Sequence, residues 1–243
     1  METTQIYSSY NEVDHHTWSL LVRNHLDFNF QKCSIEYQEG FQKLELDTQR
    51  IAEISDLSQR LKRISGWTLT PVEGFIPAEL FFNLLLKKVY PVTVFLRKPE
   101  DLSFSELPDI FHDIYGHVPL LTNDKFCNFL EHLSELALNF IGNDLAIKYL
   151  TRLYWFTFEM GVIREGDVFK PYGGAIITSP AEIKRVNDYG NNIQPFDIGR
   201  IFETEFDPYK LQNVYFYVNS FDSLFELTDD LGVTLAEYLK HDR

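Results

Sequence analysis

Cysteine is scarce in this chain: there are two in 243 residues, Cys33 and Cys127, far apart in sequence. Two distant cysteines give no disulfide framework and no cysteine-based zinc site, and they fit a reducing, cytoplasmic setting. Basic residues are also few, 22 Lys and Arg against 36 Asp and Glu, for a formal net charge of −14. So acidic a chain repels phosphate backbones and anionic lipid, so neither nucleic acid nor a membrane surface is an expected partner. No stretch comes near the roughly 20 apolar residues needed to cross a bilayer. Met1 to Tyr10 hold neither a basic start nor an apolar run, so no signal peptide is expected. Internal repeats, low-complexity tracts and long Gly/Ser/Pro linkers are absent. One domain spanning 1–243 is the simplest organisation, at a length that mixed or barrel-like single domains reach.

What is present is a globular composition, 44% hydrophobic and 24% charged, with an unusual load of 21 Phe and 13 Tyr. Those rings serve either a bulky core or a pocket for a flat ligand. The hydrophobic pattern is mostly helical. A first segment, with Asp14 as cap, runs through Trp18, Leu21, Val22 and His25; a second covers Asp47 to Ile64 and meets Gly66. Pro77 suits the first turn of a helix carrying Leu80, Phe81, Leu84 and Leu85. Tyr90 to Arg97, short and rich in β-branched and aromatic residues, reads as a strand. After Asn123 and Asp124, the positions Phe126, Phe129, Leu130, Leu133, Leu136, Ala137, Phe140 and Ile141 follow helical spacing until Gly142 and Asn143 stop it. Asp144 caps a further helix that the pattern carries past Val162 towards Gly166. Phe169 to Asp197, with Gly190 inside it, reads as irregular. Val214 to Val218 reads as a strand, and Ser220 to Lys240 as a helix broken near Gly232. The expected fold is mainly α with a few short β-strands and long ordered loops, which in a compact domain carry the site.

Residues 108–119 read P-D-I-F-H-D-I-Y-G-H-V-P. On a straight α-helix, five residues advance about 500°, so His112 and His117 would point about 140° apart. They converge if the helix ends between them, with Gly116 as a left-handed cap and Pro119 forbidding continuation. Such a pair is either structural or metal-ligating. Glu159 is the sole charged residue between Arg152 and Arg164, among Tyr154, Trp155, Phe156, Phe158, Met160 and Val162. A lone buried carboxylate costs several kcal/mol unless paired or bound to a metal. It either faces solvent or an arginine, or joins the histidines. Two imidazoles and one carboxylate form the facial triad of Fe(II) oxygenases, and zinc can use the same three donors in a hydrolase.

The text P-D-I-F-H-D-I-Y-G-H-V-P-L-L followed by L-Y-W-F-T-F-E-M-G-V-I-R-E-G resembles the catalytic core of the pterin-dependent aromatic amino acid hydroxylases, and within them the bacterial phenylalanine-hydroxylating members. The resemblance extends over most of the chain, through G-W-T-L-T-P-V-E-G at 66–74, Y-P-V-T-V-F-L-R-K-P-E at 90–100, K-P-Y-G-G-A at 170–175 and V-Y-F-Y-V-N-S-F at 214–221. It implies a mononuclear Fe(II) monooxygenase that uses tetrahydrobiopterin or a related tetrahydropterin with O2 to hydroxylate an aromatic ring, phenylalanine to tyrosine first. One oxygen atom goes to the ring and the other to the pterin. It implies His112, His117 and Glu159 as iron ligands and Arg97 as the grip on the substrate carboxylate. Asp109 would orient that arginine. Trp155, Thr178 and Ser179 would border the amino acid, and Asp113 would stand near the iron on the pterin side. Gly74, Phe75 and Ile76 would meet the pterin edge, and Phe81 would stack on it. Read alone, Arg97 is a solvated strand-end charge, and Trp155 and Phe81 are core.

Some positions depart from the family's usual text. Leu107 stands where glutamate is usual, Met160 where phenylalanine is common, and the loop after Tyr172 reads G-G-A-I-I-T-S-P. These positions line or adjoin the expected substrate pocket, which keeps tryptophan or a modified aromatic open as substrate. The chain is expected to lack a regulatory domain and a tetramerisation helix and to act as a monomer or weak dimer. Two other readings stand beside the oxygenase: a zinc hydrolase using the same ligands, with Asp113 as its base, and a non-catalytic aromatic-ligand-binding protein.

Overall fold

The structure is a computed structural model that describes residues 3–102, 105, 107–188 and 192–241, with the backbone alone at 188, 227 and 241. Gly190 lies outside the described residues. Eleven α-helices and six short strands follow one another among them: α1 (Glu12–Asn24), α2 (Ile35–Leu44), α3 (Ile54–Ser65), β1 (Thr68–Val72), α4 (Ala78–Leu86), β2 (Val89–Thr93), α5 (Asp124–Asn139), α6 (Asp144–Tyr154), β3 (Gly161–Glu165), β4 (Val168–Pro171), α7 (Gly174–Ile177), α8 (Pro180–Asp188), β5 (Ile193–Pro195), α9 (Ile198–Glu203), β6 (Tyr215–Val218), α10 (Phe221–Leu227) and α11 (Leu231–His241). The mainly helical reading with few short strands holds.

Helix starts are set by side chains that satisfy the first free N–H groups. Asn11, not Asp14, caps α1: its side chain accepts from Val13 N and Asp14 N, and Asp14 bonds back to the Asn11 N–H in a capping box. Asn143, not Asp144, caps α6 through a 3.1 Å bond from Ala146 N. Gly66 ends α3 at φ 81°, as its position suggests. The helix expected from Asp47 begins only at Ile54. The Asp47 carboxylate takes the N–H groups of Gln49 and Arg50, an alternative to helical bonding, and His15 Nδ1 takes that of Ile51. Pro77 precedes α4 as its cap, and Leu80 is exposed while Phe82 and Leu85 are buried.

β1 and β2 pair in parallel over five residues. The strand expected to run on to Arg97 leaves its ladder after Thr93, with one further bond from Val94 N to Val72 O. A second sheet has the order β4-β3-β6-β5, with β3–β6 and β5–β6 parallel and β3–β4 antiparallel. Its presence corrects two readings. Val162 lies in β3 rather than in an extended α6, because pairing with β6 overrides the helical pattern. The stretch from Phe169, expected to be irregular, supplies β4, α7, α8 and β5. The last helix is two helices, with the break at 228–230 and Gly232 inside α11.

Three segments wind more widely than an α-helix, with i→i+5 bonding: His25–Asn29, His112–His117 and Trp155–Glu159. Such π-turns are uncommon and cluster at functional sites. The last two supply the residues of the site. Between them runs a stack of parallel rings, His117 on Phe158 at 4.2 Å and Phe158 on Phe126 of α5 at 5.7 Å. All three are buried in the apolar core, so the site is mounted on packed aromatics rather than on a loop.

Candidate metal and substrate site

In a π-turn residues five apart lie nearly one above the other, because the hydrogen bond spans five positions. That winding, rather than a left-handed cap at Gly116, brings His112 and His117 together; Gly116 has no positive φ. Their Nε2 atoms stand 3.0 Å apart. Glu159, last residue of the other π-turn, places Oε2 at 3.5 Å from His112 Nε2 and 3.3 Å from His117 Nε2. Oε2 is buried and has no hydrogen-bond partner. Three donors bound to one ion at about 2.1 Å and right angles would stand about 3.0 Å apart, so the residues fit a shared ion. Among the described residues this is the one cluster of three His, Cys, Asp or Glu groups able to hold a metal.

The surroundings fix those donors. His112 Nδ1 lies 3.0 Å from Thr178 Oγ, whose own proton goes to the Gly174 carbonyl at 2.8 Å. Thr178 can therefore only accept, so Nδ1 carries the imidazole proton and Nε2 offers a lone pair to the ion. Burial opposes the charge on Glu159, and the two imidazoles overcome it, holding the carboxyl well below its usual range. The Tyr154 hydroxyl donates to Glu159 Oε1 at 3.3 Å.

Two cavities meet at these residues. The first, of about 270 Å³, is lined by Val72, Gly74, Phe75, Ile76, Phe81 and Asp113, among others. The second, of about 330 Å³, is lined by Arg97, Leu107, Trp155, Ala175, Thr178 and Ser179, among others. His112, Glu159, Phe75 and Pro108 line both. Asp113 is buried and accepts from Thr93 N at 2.7 Å; burial raises its carboxyl, against the pull of His112. Phe75 is 77% exposed at the boundary of the two cavities.

Arg97 is 8% exposed and Asp109 fully buried. Asp109 accepts from Arg97 Nε at 2.8 Å, from an Nη at 2.9 Å and from the Arg97 backbone N–H at 2.9 Å. It also accepts from His112 N at 3.0 Å. Burial alone would raise the Asp109 carboxyl, but Arg97 holds it below the usual range. Arg97 is thus a fixed cation on the second cavity, not a solvated strand end, and one carboxylate sets it relative to His112.

Of the sequence-predicted residues, Gly74, Phe75, Ile76, Phe81 and Asp113 line the first cavity and Arg97, Trp155, Thr178 and Ser179 the second, while Asp109 and His117 line neither. Met160 also lies in the core and lines neither cavity, unlike Leu107 and Thr178. Sequence reasoning missed Tyr154, Thr93 and the buried pair Glu182 and Gln212. Glu182 lines the second cavity and accepts from Gln212 N at 2.9 Å and from the Tyr215 hydroxyl. Burial raises its carboxyl. Its spacing of one helical turn from Thr178 and Ser179 was the available signal.

Comparison with known proteins gives the same direction. Residues 4–238 match the family described as biopterin-dependent aromatic amino acid hydroxylase. The chain is 35% identical over 222 residues to the phenylalanine-4-hydroxylase of Chromobacterium violaceum, covering 90% of this chain and 74% of that one. A crystallographic structure of a variant of that organism's phenylalanine hydroxylase superposes with TM-score 0.91 at 33% identity, over 97% of this chain and 87% of the other. Its iron- and phenylalanine-bound form gives 0.88 at 33% identity, over the same shares. With two cavities that share His112 and Glu159 of a His–His–Glu cluster, and a match over nearly its whole length, the chain belongs to the biopterin-dependent aromatic amino acid hydroxylase family.

Proposed function

We propose that this protein is an Fe(II)- and tetrahydropterin-dependent monooxygenase that converts phenylalanine to tyrosine. The observation that carries this reading is the junction of two cavities at His112 and Glu159, with His117 beside them behind the wall and Arg97 fixed on the second cavity. A ferrous ion and a reduced pterin bound there would supply the activation of O2 for ring hydroxylation.

The chain's own residues bind, orient and exclude water. His112, His117 and Glu159 would hold the ion. Arg97, fixed by Asp109, offers its remaining amino group to the substrate's α-carboxylate. Trp155, Thr178 and Ser179, which line the second cavity, border the amino acid. Gly74, Phe75 and Ile76 present backbone to the pterin edge, Phe81 offers a ring face, and Asp113 stands on the pterin side of the ligands. Phenylalanine is the preferred substrate because of the cavity's apolar wall and the names of the relatives. Leu107 and Thr178 on that wall keep a larger aromatic as the second choice.

Residues 1–243 are read as one catalytic domain working as a monomer or weak dimer in the cytoplasm. The paucity of cysteine supports that compartment, and no described helix is long and apolar enough to cross a membrane. The deciding experiment is a product assay with Fe(II), a tetrahydropterin and each aromatic amino acid under air. Tyrosine from phenylalanine, with the pterin oxidised, is the expected result. Stoichiometric zinc with no pterin oxidation would support a hydrolase, and no metal at all a binding protein; either sinks the proposal. Sedimentation across a concentration series tests the oligomeric state.

A further inference from the structure

The widened turn at His112–His117 needs something to hold it open. A carbonyl at Tyr115 would, in an α-helix, accept from the N–H of residue 119, which is Pro119 and has none. In the structure the hydroxyl of Tyr37 donates to that carbonyl at 2.7 Å. Tyr37 is fully buried, and the α2 helix that carries it lines neither cavity. We propose that Tyr37 is a positioning residue for the metal ligands: its bond to the Tyr115 carbonyl holds the turn that brings His112 and His117 to one point. This rests on the reading of His112, His117 and Glu159 as a metal site.

Three further observations support the role. The Tyr37 oxygen is fixed from a second side, 3.0 Å from Nε2 of His25, itself buried at the start of another π-turn. The α2 helix is seated directly on the following residues: a Cβ on Gly40 would lie 2.0 Å from the Pro119 carbonyl oxygen and 2.7 Å from Thr122 Oγ. A side chain there would lift α2, and Tyr37 with it, away from the turn. The Tyr115 side chain is also anchored, stacked on Phe111 at 5.0 Å and donating from its hydroxyl to the Asp47 carbonyl at 3.3 Å. Residue 115 is thus held by both side chain and backbone, between the two histidines.

The test is titration of the metal-free protein with Co(II), followed by visible absorption, alongside thermal melting without metal. Wild type is expected to bind one Co(II). Tyr37→Phe is expected to bind it about 3- to 10-fold more weakly, as loss of one buried hydrogen bond implies, with a changed Co(II) spectrum and an unchanged KM for the amino acid. Ser134→Ala serves as the control. It removes another buried hydroxyl, bonded to Leu130 O at 2.6 Å within α5, and should lower the melting temperature without moving Co(II) affinity or spectrum. The double variant His25→Phe/Tyr37→Phe leaves no orphaned imidazole, and stands in if the single variant does not fold; the same weakening is expected. Wild-type affinity and spectrum in the Tyr37 variants overturn the inference, as does equal weakening in Ser134→Ala. Failure of the wild type to bind Co(II) overturns the metal site itself.

Discussion

A methyl group on Gly174 would sit 2.3 Å from Cε1 of His117 and 2.6 Å from both of its ring nitrogens. The glycine is there because the imidazole occupies the space a side chain would need. On its other face His117 lies flat on Phe158, so the ring cannot retreat. Gly174→Ala is expected to lower iron affinity at least tenfold and remove most activity, while the far-ultraviolet circular dichroism stays native. Wild-type iron content in that variant would mean the ring has room to move.

Glu159→Gln tests the ligand set more directly. The amide keeps the shape and loses the one charge that offsets the ion, in a site where Oε2 is buried without another partner. Iron content after dialysis should fall by 10-fold or more and coupled hydroxylation should vanish. Full activity would remove Glu159 from the site.

For Arg97 the informative change is to lysine. Alanine would strand the buried Asp109 carboxylate, at a cost of about 3–5 kcal/mol, and confuse binding with unfolding. Lysine keeps the charge and loses the planar fork. Arg97→Lys is expected to raise the amino acid KM about tenfold or more, with metal content and pterin KM unchanged. An unaltered amino acid KM places the carboxylate elsewhere.

The opposite separation is expected at Phe81. It lines the first cavity only, with its ring 5.4 Å from that of Tyr154. Phe81→Leu should raise the pterin KM several-fold and leave the amino acid KM alone. A rise in both would mean that the two cavities do not divide the ligands as assigned.

Stability should carry an acid signature from His25. Burial pushes this imidazole down to about 4, while in the unfolded chain it titrates near 6.5. Between those values the unfolded state takes up a proton that the folded state refuses, so stability is lost as pH falls from about 6.5 towards about 4. The loss is bounded at about 3 kcal/mol. His25→Gln, which cannot titrate, should show a shallower decline in urea midpoint over that window. Parallel curves would mean His25 accepts its proton in the fold.

How far the sequence reached depended on the kind of signal. α5 was legible because its apolar positions recur with helical period and Asn123 stands before it. Chemistry made His112, His117 and Glu159 candidates, since a carboxylate among aromatic residues needs a reason, and the family resemblance singled out the iron reading. The roles of Arg97 and Phe81 were not, since each has a bland local reading, and their assignment came from family resemblance. The widened turns left no mark in residue pattern, so the convergence of His112 and His117 was assigned to a helix end at Gly116. The course of the chain beyond Glu159 was misread for a related reason: Val162 looks the same in a helix and in a buried strand until β6 is in place. Tyr37 and Gln212 act across long sequence separations and had no local signal.

A π-turn is, in effect, a helix carrying one residue more than its neighbours need. At His112–His117 that surplus residue is what aligns the two imidazoles. Winding the same six residues as an ordinary α-helix would leave the two rings about 140° apart, although every side chain named in the site would still be encoded. The reaction centre is therefore set by the winding of this short stretch as well as by its letters.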